Sequence, residues 1–161
     1  MIAIAGRLGS GKTSLIVDLV GELTRRGLKV STIMGVDGRA AIDQPGKDSF
    51  RHREAGAKEV MVTSAQRWAL IHGGGATERD PLARMDTVDL VITEGMSGGG
   101  YPTIEVYRSA TAAGDAPLGR DDPAIVAVVS DRPLGSFPKP VIDLGDPPAV
   151  ADFIVSQLGL A

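Results

Sequence analysis

The residues best suited to chemistry in this sequence form a glycine-rich loop near the amino terminus. The loop reads Gly6-Arg7-Leu8-Gly9-Ser10-Gly11-Lys12-Thr13 and matches the pattern G-x-x-x-x-G-K-[ST]. In such loops backbone amides surround phosphate oxygens, the lysine reaches the β- and γ-phosphates, and the final hydroxyl binds Mg²⁺. The pattern therefore predicts a nucleoside triphosphate site, with a functionless glycine turn as the weaker alternative. The predicted nucleotide-binding residues are Gly6, Gly9, Ser10, Gly11, Lys12, Thr13 and Ser14.

A second motif is an apolar run that starts at Asp89 and ends in Glu94-Gly95. The two acids lie five residues apart, which is ~16 Å in an extended strand, so they cannot share one Mg²⁺. Ligands of open parallel sheets bind beyond the carboxyl ends of the strands. This rule predicts Glu94 as a metal ligand together with Thr13, and it excludes Asp89. Any strand can end in Glu-Gly, so the prediction depends on the phosphate loop.

The same rule selects acids after two other predicted strands. Asp43 and Asp48 follow the second strand, and either can bind the metal directly or through water. The alternative for each is a solvated loop acid or a helix cap. Asp131 follows a later strand, and its carboxylate can accept hydrogen bonds from N1–H and N2–H₂ of guanine, which adenine does not offer. A simple turn before Arg132-Pro133 is an equally good explanation of Asp131.

The elements that position these residues alternate between strand-length apolar runs and segments of helical period. This alternation predicts an α/β fold of the P-loop NTPase type, with a mainly parallel central sheet and helices on both faces. The predicted strands are 1–5, 29–34, 59–63, 67–71, 88–93, 124–130 and 141–144, of which the last three are expected to form the sheet centre. The predicted helices are 13–26, 149–158 and a short one that begins at Asp48 or Ser49 and runs to Ala55, with a further turn or two in 78–85. Segment 35–47 is expected to be a mobile loop, and segment 109–123 is expected to be a loop.

Length and composition limit the functional class. The 161 residues fit one nucleotide-binding domain over 1–161. The net charge is −3, with 17 basic and 20 acidic residues well mixed, so a nucleic-acid partner is not expected. There is no cysteine, which excludes thiolate chemistry, and the apolar start is too short for a membrane span. We therefore expect a cytoplasmic protein without a membrane partner, in which Trp68 lies in the core or at an interface.

Several strings resemble the MobB family of molybdopterin-guanine dinucleotide biosynthesis adapter proteins, and the resemblance covers nearly the whole chain. The most specific are Asp43-Gln44-Pro45-Gly46-Lys47-Asp48-Ser49 and Gln66-Arg67-Trp68-Ala69-Leu70. The others are the phosphate loop, Glu54-Ala55-Gly56-Ala57, Asp89–Gly95, Ala127-Val128-Val129-Ser130-Asp131 and the tail Ala151-Asp152-Phe153.

The resemblance implies a GTP- and Mg²⁺-binding protein with weak intrinsic GTPase activity. It further implies a homodimer that works beside the guanylyltransferase MobA as it attaches GMP to molybdopterin, with molybdopterin-loaded proteins as possible further partners. Within the family pattern the loop of Asp48, and less strongly Asp43, lines the nucleotide site with the Glu94 strand end, and Ser130-Asp131 takes the base-side position. No catalytic residue is assigned.

The chain also departs from the family pattern. Many relatives carry lysine and histidine directly after the second strand, where this chain has Met34-Gly35-Val36-Asp37-Gly38. Relatives also tend to have an aromatic residue and a lysine after Glu-Gly, where this chain has Met96-Ser97-Gly98. We therefore expect triphosphate binding to be retained and turnover to differ. The alternatives are an ATP-dependent small-molecule kinase or ligase similar to dethiobiotin synthetase, and a nucleotide-binding scaffold without turnover.

Overall fold

The structure, a computed structural model, describes residues 1–35, 43–73, 82–95 and 100–160. The described residues form two compact units, one made of residues 1–35 and 87–160 and the other taken from residues 43–86. Residues 36–42 of the predicted mobile loop and 78–81 of the predicted helical segment lie outside the described residues. Within the described ranges no helix is long and apolar enough to cross a membrane. The one-domain organisation remains a prediction.

The first unit is built on a six-stranded sheet in which every pairing is parallel. Its strands are β1 (Ile2–Ala5), β2 (Val30–Met34), β5 (Leu90–Glu94), β6 (Thr103–Tyr107), β7 (Ile125–Ser130) and β8 (Val141–Asp143). They lie side by side in the order β2-β5-β1-β6-β7-β8. A parallel sheet of this kind brings the carboxyl ends of all six strands to one edge. The predicted fold class is confirmed.

Two helices, α1 (Lys12–Arg25) and α3 (Pro147–Leu158), pack on one face of this sheet. Alternate strand residues and the apolar stripes of both helices form one continuous core, because strand side chains alternate between faces while helix residues recur every three to four positions. The strands contribute Ile2, Ile4, Leu90, Ile92, Ile104, Val106, Ala127 and Val129, and the helices contribute Leu15, Ile16, Leu19, Leu23, Val150, Ala151 and Ile154. The Asp146 carboxylate caps α3 by accepting the Ala149 N–H at 3.1 Å.

Short 3₁₀ helices contribute to the opposite face of the sheet. Tyr107, Ile125 and Val128 are buried there with Ala112, which follows the turn Ser109–Thr111. A second turn, Leu118–Arg120, packs Gly119 directly on this face; a Cβ at that position would overlap the side chain of Val128. The segment predicted as a loop, 109–123, therefore contains two 3₁₀ turns that cover buried strands.

The structure corrects the predicted sheet in two ways. Strand β6 was not predicted, and it lies next to β1 at the sheet centre. The predicted central strand at 141–144 is instead the three-residue edge strand β8. The sequence TIEVY of β6 carries a glutamate in the middle of an apolar strand, and that charge conceals an otherwise regular alternation.

The second unit contains α2 (Asp48–Glu54) and the antiparallel hairpin of β3 (Glu59–Thr63) and β4 (Trp68–His72). Its short helix begins at Asp48, as predicted, and no side chain caps it, so the alternative role of Asp48 as a helix cap is wrong. Trp68 is 63% exposed, which excludes the predicted core position and leaves an interface as the remaining prediction.

Candidate nucleotide site

The glycine-rich loop joins the carboxyl end of β1 to the amino end of α1. Gly11, directly before the helix, has a φ of +100°, and Gly6, at the start of the loop, has a φ of +143°. A Cβ at Gly6 would also overlap the carbonyl oxygen of Val106 on the neighbouring strand. Only glycine therefore fits at these two positions. The resulting turn presents the free amides of the first helical turn, where an anion is stabilised.

The loop is organised around the carbonyl oxygen of Arg7. This oxygen accepts a hydrogen bond from the Ser10 N–H at 3.2 Å and from Lys12 Nζ at 3.0 Å. The Lys12 ammonium therefore lies within the loop, at the helix end where a phosphate would bind. The Arg7 side chain points elsewhere, to Asp115 at 2.5 Å, and both side chains of this pair are largely exposed.

Thr13 and Glu94 meet at the carboxyl edge of the sheet. The Thr13 hydroxyl lies 2.9 Å from one carboxylate oxygen of Glu94 and 3.1 Å from the other. The Glu94 carbonyl accepts the Gly35 N–H at 2.7 Å, so the strand end that carries the acid is fixed by its neighbour. Asp89 lies at the other end of this strand region, where it accepts the backbone N–H of Lys29 at 2.7 Å. The structure thus brings together the two predicted metal ligands of the first unit and keeps Asp89 apart.

A hydroxyl and a carboxylate oxygen are ligands suited to Mg²⁺, which binds few protein groups and retains phosphate and water ligands. Thr13 and Glu94 therefore fit this metal. In the described parts of the chain no group of three or more histidine, aspartate or glutamate side chains is arranged to hold a metal ion.

Asp131 follows β7 and is held by Ser109. One carboxylate oxygen accepts the Ser109 N–H at 2.9 Å and the other accepts the Ser109 hydroxyl at 3.0 Å. The backbone N–H of Ser109 lowers the pKa of Asp131, and the Ser109 hydroxyl and the positive charge of Arg108 lower it further. Asp131 therefore stays ionised and accepts hydrogen bonds. It lines an open pocket of about 420 Å³ together with Ser130, Arg132 and the end of β8.

Asp43 and Asp48 belong to the second unit. Asp43 accepts hydrogen bonds from Ser49 Oγ at 3.2 Å and Arg53 Nε at 3.4 Å, and its side chain is nearly buried. Asp48 is 88% exposed and lies 3.6 Å from Arg51 in the next helical turn. The two acids therefore differ, because Asp43 is neutralised by a local arginine and Asp48 is open to solvent.

Two residues of this region were not predicted from the sequence. Arg108 follows β6 and donates from Nε to the carbonyl oxygen of Ser10 in the phosphate loop, at 3.2 Å. Glu105, in the same strand, is 3% exposed and accepts the N–H groups of Leu118 and Gly119 at 2.9 and 2.7 Å. Recognising β6 would have found both, because Arg108 then follows a strand at the carboxyl edge.

A family model described as molybdopterin guanine dinucleotide synthesis protein B, MobB, matches residues 1–131. The chain belongs to the MobB family. It is 35% identical over 165 residues to the molybdopterin-guanine dinucleotide biosynthesis adapter protein of Escherichia coli (strain K12), covering 98% of this chain and 93% of that protein. The protein of the same description from Haemophilus influenzae (strain ATCC 51907 / DSM 11121 / KW20 / Rd) is 33% identical over 162 residues, covering 98% and 89%.

The MobB relationship extends to the fold. The crystal structure of a MobB protein homolog from Bacillus stearothermophilus superimposes with a TM-score of 0.69 at 21% identity and covers 99% of this chain and 98% of that one. This likeness concerns the fold, whereas the family model and the two relatives confirm the family resemblance inferred from the sequence strings.

Proposed function

We propose that this MobB-family chain binds GTP with Mg²⁺ and acts as an adapter in molybdopterin guanine dinucleotide biosynthesis, beside a MobA-like guanylyltransferase. The observation that carries the proposal is the contact of Thr13 with Glu94 at the end of a phosphate-binding loop. The names of the Escherichia coli and Haemophilus influenzae relatives support the pathway and the adapter role.

The phosphates would be held by the loop and by the first turn of α1. Amides of Gly9, Gly11 and neighbouring residues offer hydrogen bonds, and the helix dipole adds a favourable field. Lys12 would exchange the Arg7 carbonyl for phosphate oxygens. When bound, Mg²⁺ would neutralise phosphate charge, and Thr13 and Glu94 would supply its protein oxygens. The assignment of Asp48 and Asp43 to the metal stays a proposal that rests on the sequence, because both acids belong to the second unit.

The base would lie beyond the end of β7. Ser109 uses one lone pair on each oxygen of Asp131, and a carboxylate has about four such sites. Two acceptor sites therefore remain for N1–H and N2–H₂ of guanine. Adenine has an acceptor at N1 and would leave the ionised carboxylate unpaired, which favours GTP over ATP.

The adapter role requires other proteins rather than rapid turnover. Hydrolysis would be weak at most, since this chain lacks the lysine and histidine that many relatives carry after β2. Molybdopterin-loaded proteins are proposed as further partners, and nucleic acid is not proposed because the net charge is −3. We place the protein in the cytoplasm.

The exposed Met61 and Trp68 on the hairpin of the second unit favour a homodimer that covers them.

Calorimetric titration with GTP and ATP in Mg²⁺ tests the proposal. We expect wild-type protein to bind GTP more tightly, Lys12→Ala to abolish binding, and Asp131→Ala to remove the preference for GTP. The control variant is Lys29→Ala, which also removes one lysine charge. Lys29 lies before the first residue of β2, away from the carboxyl edge of the sheet, so this variant should bind GTP like the wild type.

The alternative functions give different results in the same titration. A preference for ATP would favour a small-molecule kinase or ligase. Binding of neither nucleotide would refute the nucleotide site. GTP binding without any hydrolysis, even with the guanylyltransferase present, would favour a scaffold that does not turn over.

A further inference from the structure

Arg108 connects the strand beside β1 to the phosphate loop. It follows β6 directly, and its Nε donates to the Ser10 carbonyl oxygen at 3.2 Å. Its Nη2 lies above Gly11, 3.1 Å from the position that a Cβ would occupy. Glycine at this position therefore allows a guanidinium to approach the loop backbone where the helix begins.

Several positive charges lie around this loop. Lys12 and the amino end of α1 already contribute positive charge, and Arg7 is paired with Asp115. No carboxylate lies within 4 Å of the Arg108 guanidinium among the residues that the structure describes, and Nε is its only hydrogen-bonding nitrogen there. Arg108 and Lys12 thus place two positive charges beside the loop, whereas the acids of the site, Glu94 and Asp131, hydrogen-bond to Thr13 and Ser109. An anion at the loop would be stabilised by both cations.

The geometry leaves part of the guanidinium available to such an anion. Nε is used by Ser10, whereas the two terminal nitrogens carry four N–H groups that have no acceptor within the described ranges. Two parallel N–H groups of an arginine match two oxygens of a phosphate, and this bidentate contact is stronger than a neutral hydrogen bond. The side chain is exposed, so it can reach a ligand above the loop.

We propose that Arg108 is a phosphate-binding residue of the nucleotide site. Its Nε holds the Ser10 carbonyl, and its terminal nitrogens donate to oxygens of the polyphosphate chain beside Lys12. This proposal rests on the proposed function, because it assigns a further residue to the same site. The ligand that it recognises is the polyphosphate, independent of the base.

Titrations of GTP and inorganic tripolyphosphate, each with Mg²⁺, test this assignment. We expect Arg108→Ala to weaken both ligands by a similar factor, about tenfold, because one charge-assisted contact is lost. Arg108→Lys should recover part of the loss, since it keeps the charge without the planar fork. Arg25→Ala, at the far end of α1 and ~20 Å from Lys12, removes the same charge and should change neither affinity.

The outcomes separate this proposal from the proposed function. Unchanged affinity of Arg108→Ala for both ligands, with GTP still bound by the wild type, would overturn the role of Arg108 alone. A loss of GTP affinity in Arg108→Ala with unchanged affinity for tripolyphosphate would also overturn it, because the contact would then not be made to the polyphosphate. Failure of wild-type protein to bind GTP, ATP or tripolyphosphate would overturn both proposals. Thermal melting of each variant without ligand verifies that it is folded.

Discussion

The Thr13 hydroxyl and the Glu94 carboxylate are separated by 81 residues in the chain and lie 2.9 Å apart in the fold. The contact depends on the parallel sheet, in which Ile4 of β1 is paired with Glu94 of β5. The first turn of α1 and the end of β5 are therefore fixed to one another before any ligand enters. Protein groups that are already in place bind a ligand with less loss of conformational entropy.

If this pair holds Mg²⁺, changing the acid should remove the metal dependence of nucleotide binding. We expect Glu94→Gln to reduce the gain in GTP affinity that Mg²⁺ provides by about tenfold or more. Affinity measured in the presence of a chelator should change little. Asp89→Asn alters an acid near the opposite end of β5 and should retain the full effect of the metal. Equal Mg²⁺ dependence in Glu94→Gln and the wild type would contradict the assignment.

Ser109 should control the orientation of Asp131, the acid that we propose recognises the guanine base. Removing its hydroxyl in Ser109→Ala eliminates one of the two contacts to Asp131, and we expect the preference for GTP over ATP to fall a few-fold. Ser156→Ala, on the exposed side of α3, is the matched control. A preference for GTP that is the same in both variants would argue against base recognition through Asp131.

The Ser109→Ala variant should also change the pKa of Asp131. The pKa of Asp131 is lowered below its ordinary value of 3.8, mainly by the Ser109 N–H. The stabilisation from this group is thus fully present above the unfolded pKa and is lost as the pH falls through the lowered folded pKa. In Ser109→Ala the backbone contact remains, so the pKa should rise only part of the way toward 3.8. A carboxyl-carbon NMR titration measures both values, and an unchanged pKa would contradict the hydroxyl contact.

Two glycines of the first unit should respond to alanine in opposite directions. At Gly6 a Cβ would overlap the Val106 carbonyl oxygen at a φ of +143°, so Gly6→Ala should destabilise by roughly 2–4 kcal/mol. Gly21 lies in α1 with open space around it, so Gly21→Ala should stabilise by about 0.5–1 kcal/mol. Denaturant unfolding measures both. An equal effect of the two substitutions would be inconsistent with the close approach of β1 and β6.

Glu105 should stabilise the fold, although we assign it no role in nucleotide binding. Glu105→Ala would leave the N–H groups of Leu118 and Gly119 without their acceptor, and we expect a loss of about 2–4 kcal/mol in the free energy of unfolding. Asp18→Ala, on the exposed side of α1, should stay within about 0.5 kcal/mol of the wild type. A loss below 1 kcal/mol for Glu105→Ala would mean that water replaces the carboxylate, and would refute a structural role for the buried acid.

The parts of the fold that the sequence predicted are those with strong local signals. The phosphate loop has fixed residues between a strand and a helix, and α1 has a regular apolar stripe, so both were placed within one or two residues. The short hairpin strands were likewise found from their β-branched and aromatic residues. Side-chain alternation and turn residues are local properties, and they can be read without knowing the fold.

The features that were not predicted depend on contacts between residues that are distant in sequence. Glu105 gave β6 a charge that a buried central strand rarely carries, and the compensating amides of Leu118 and Gly119 become adjacent only in the folded chain. Arg108 could not be connected to Ser10 without that strand. Asp131 was selected correctly as a residue at the carboxyl edge, but its attachment to Ser109 requires the neighbouring strand to be known.

The central position of β1 affects how the chain must be assembled. Both neighbours of β1, β5 and β6, come more than 80 residues later in the sequence. Strand β2 likewise cannot pair until β5 has been synthesised, because Val30 pairs with Leu90. In contrast, β7 and β8 pair residues only 13 positions apart, Val128 with Val141. Because closing a long segment loses more entropy than closing a short one, we expect the carboxyl-terminal strands to form early once they are synthesised. During translation the phosphate loop leaves the ribosome before the strand that carries Val106, and it cannot adopt its folded geometry until that strand has followed.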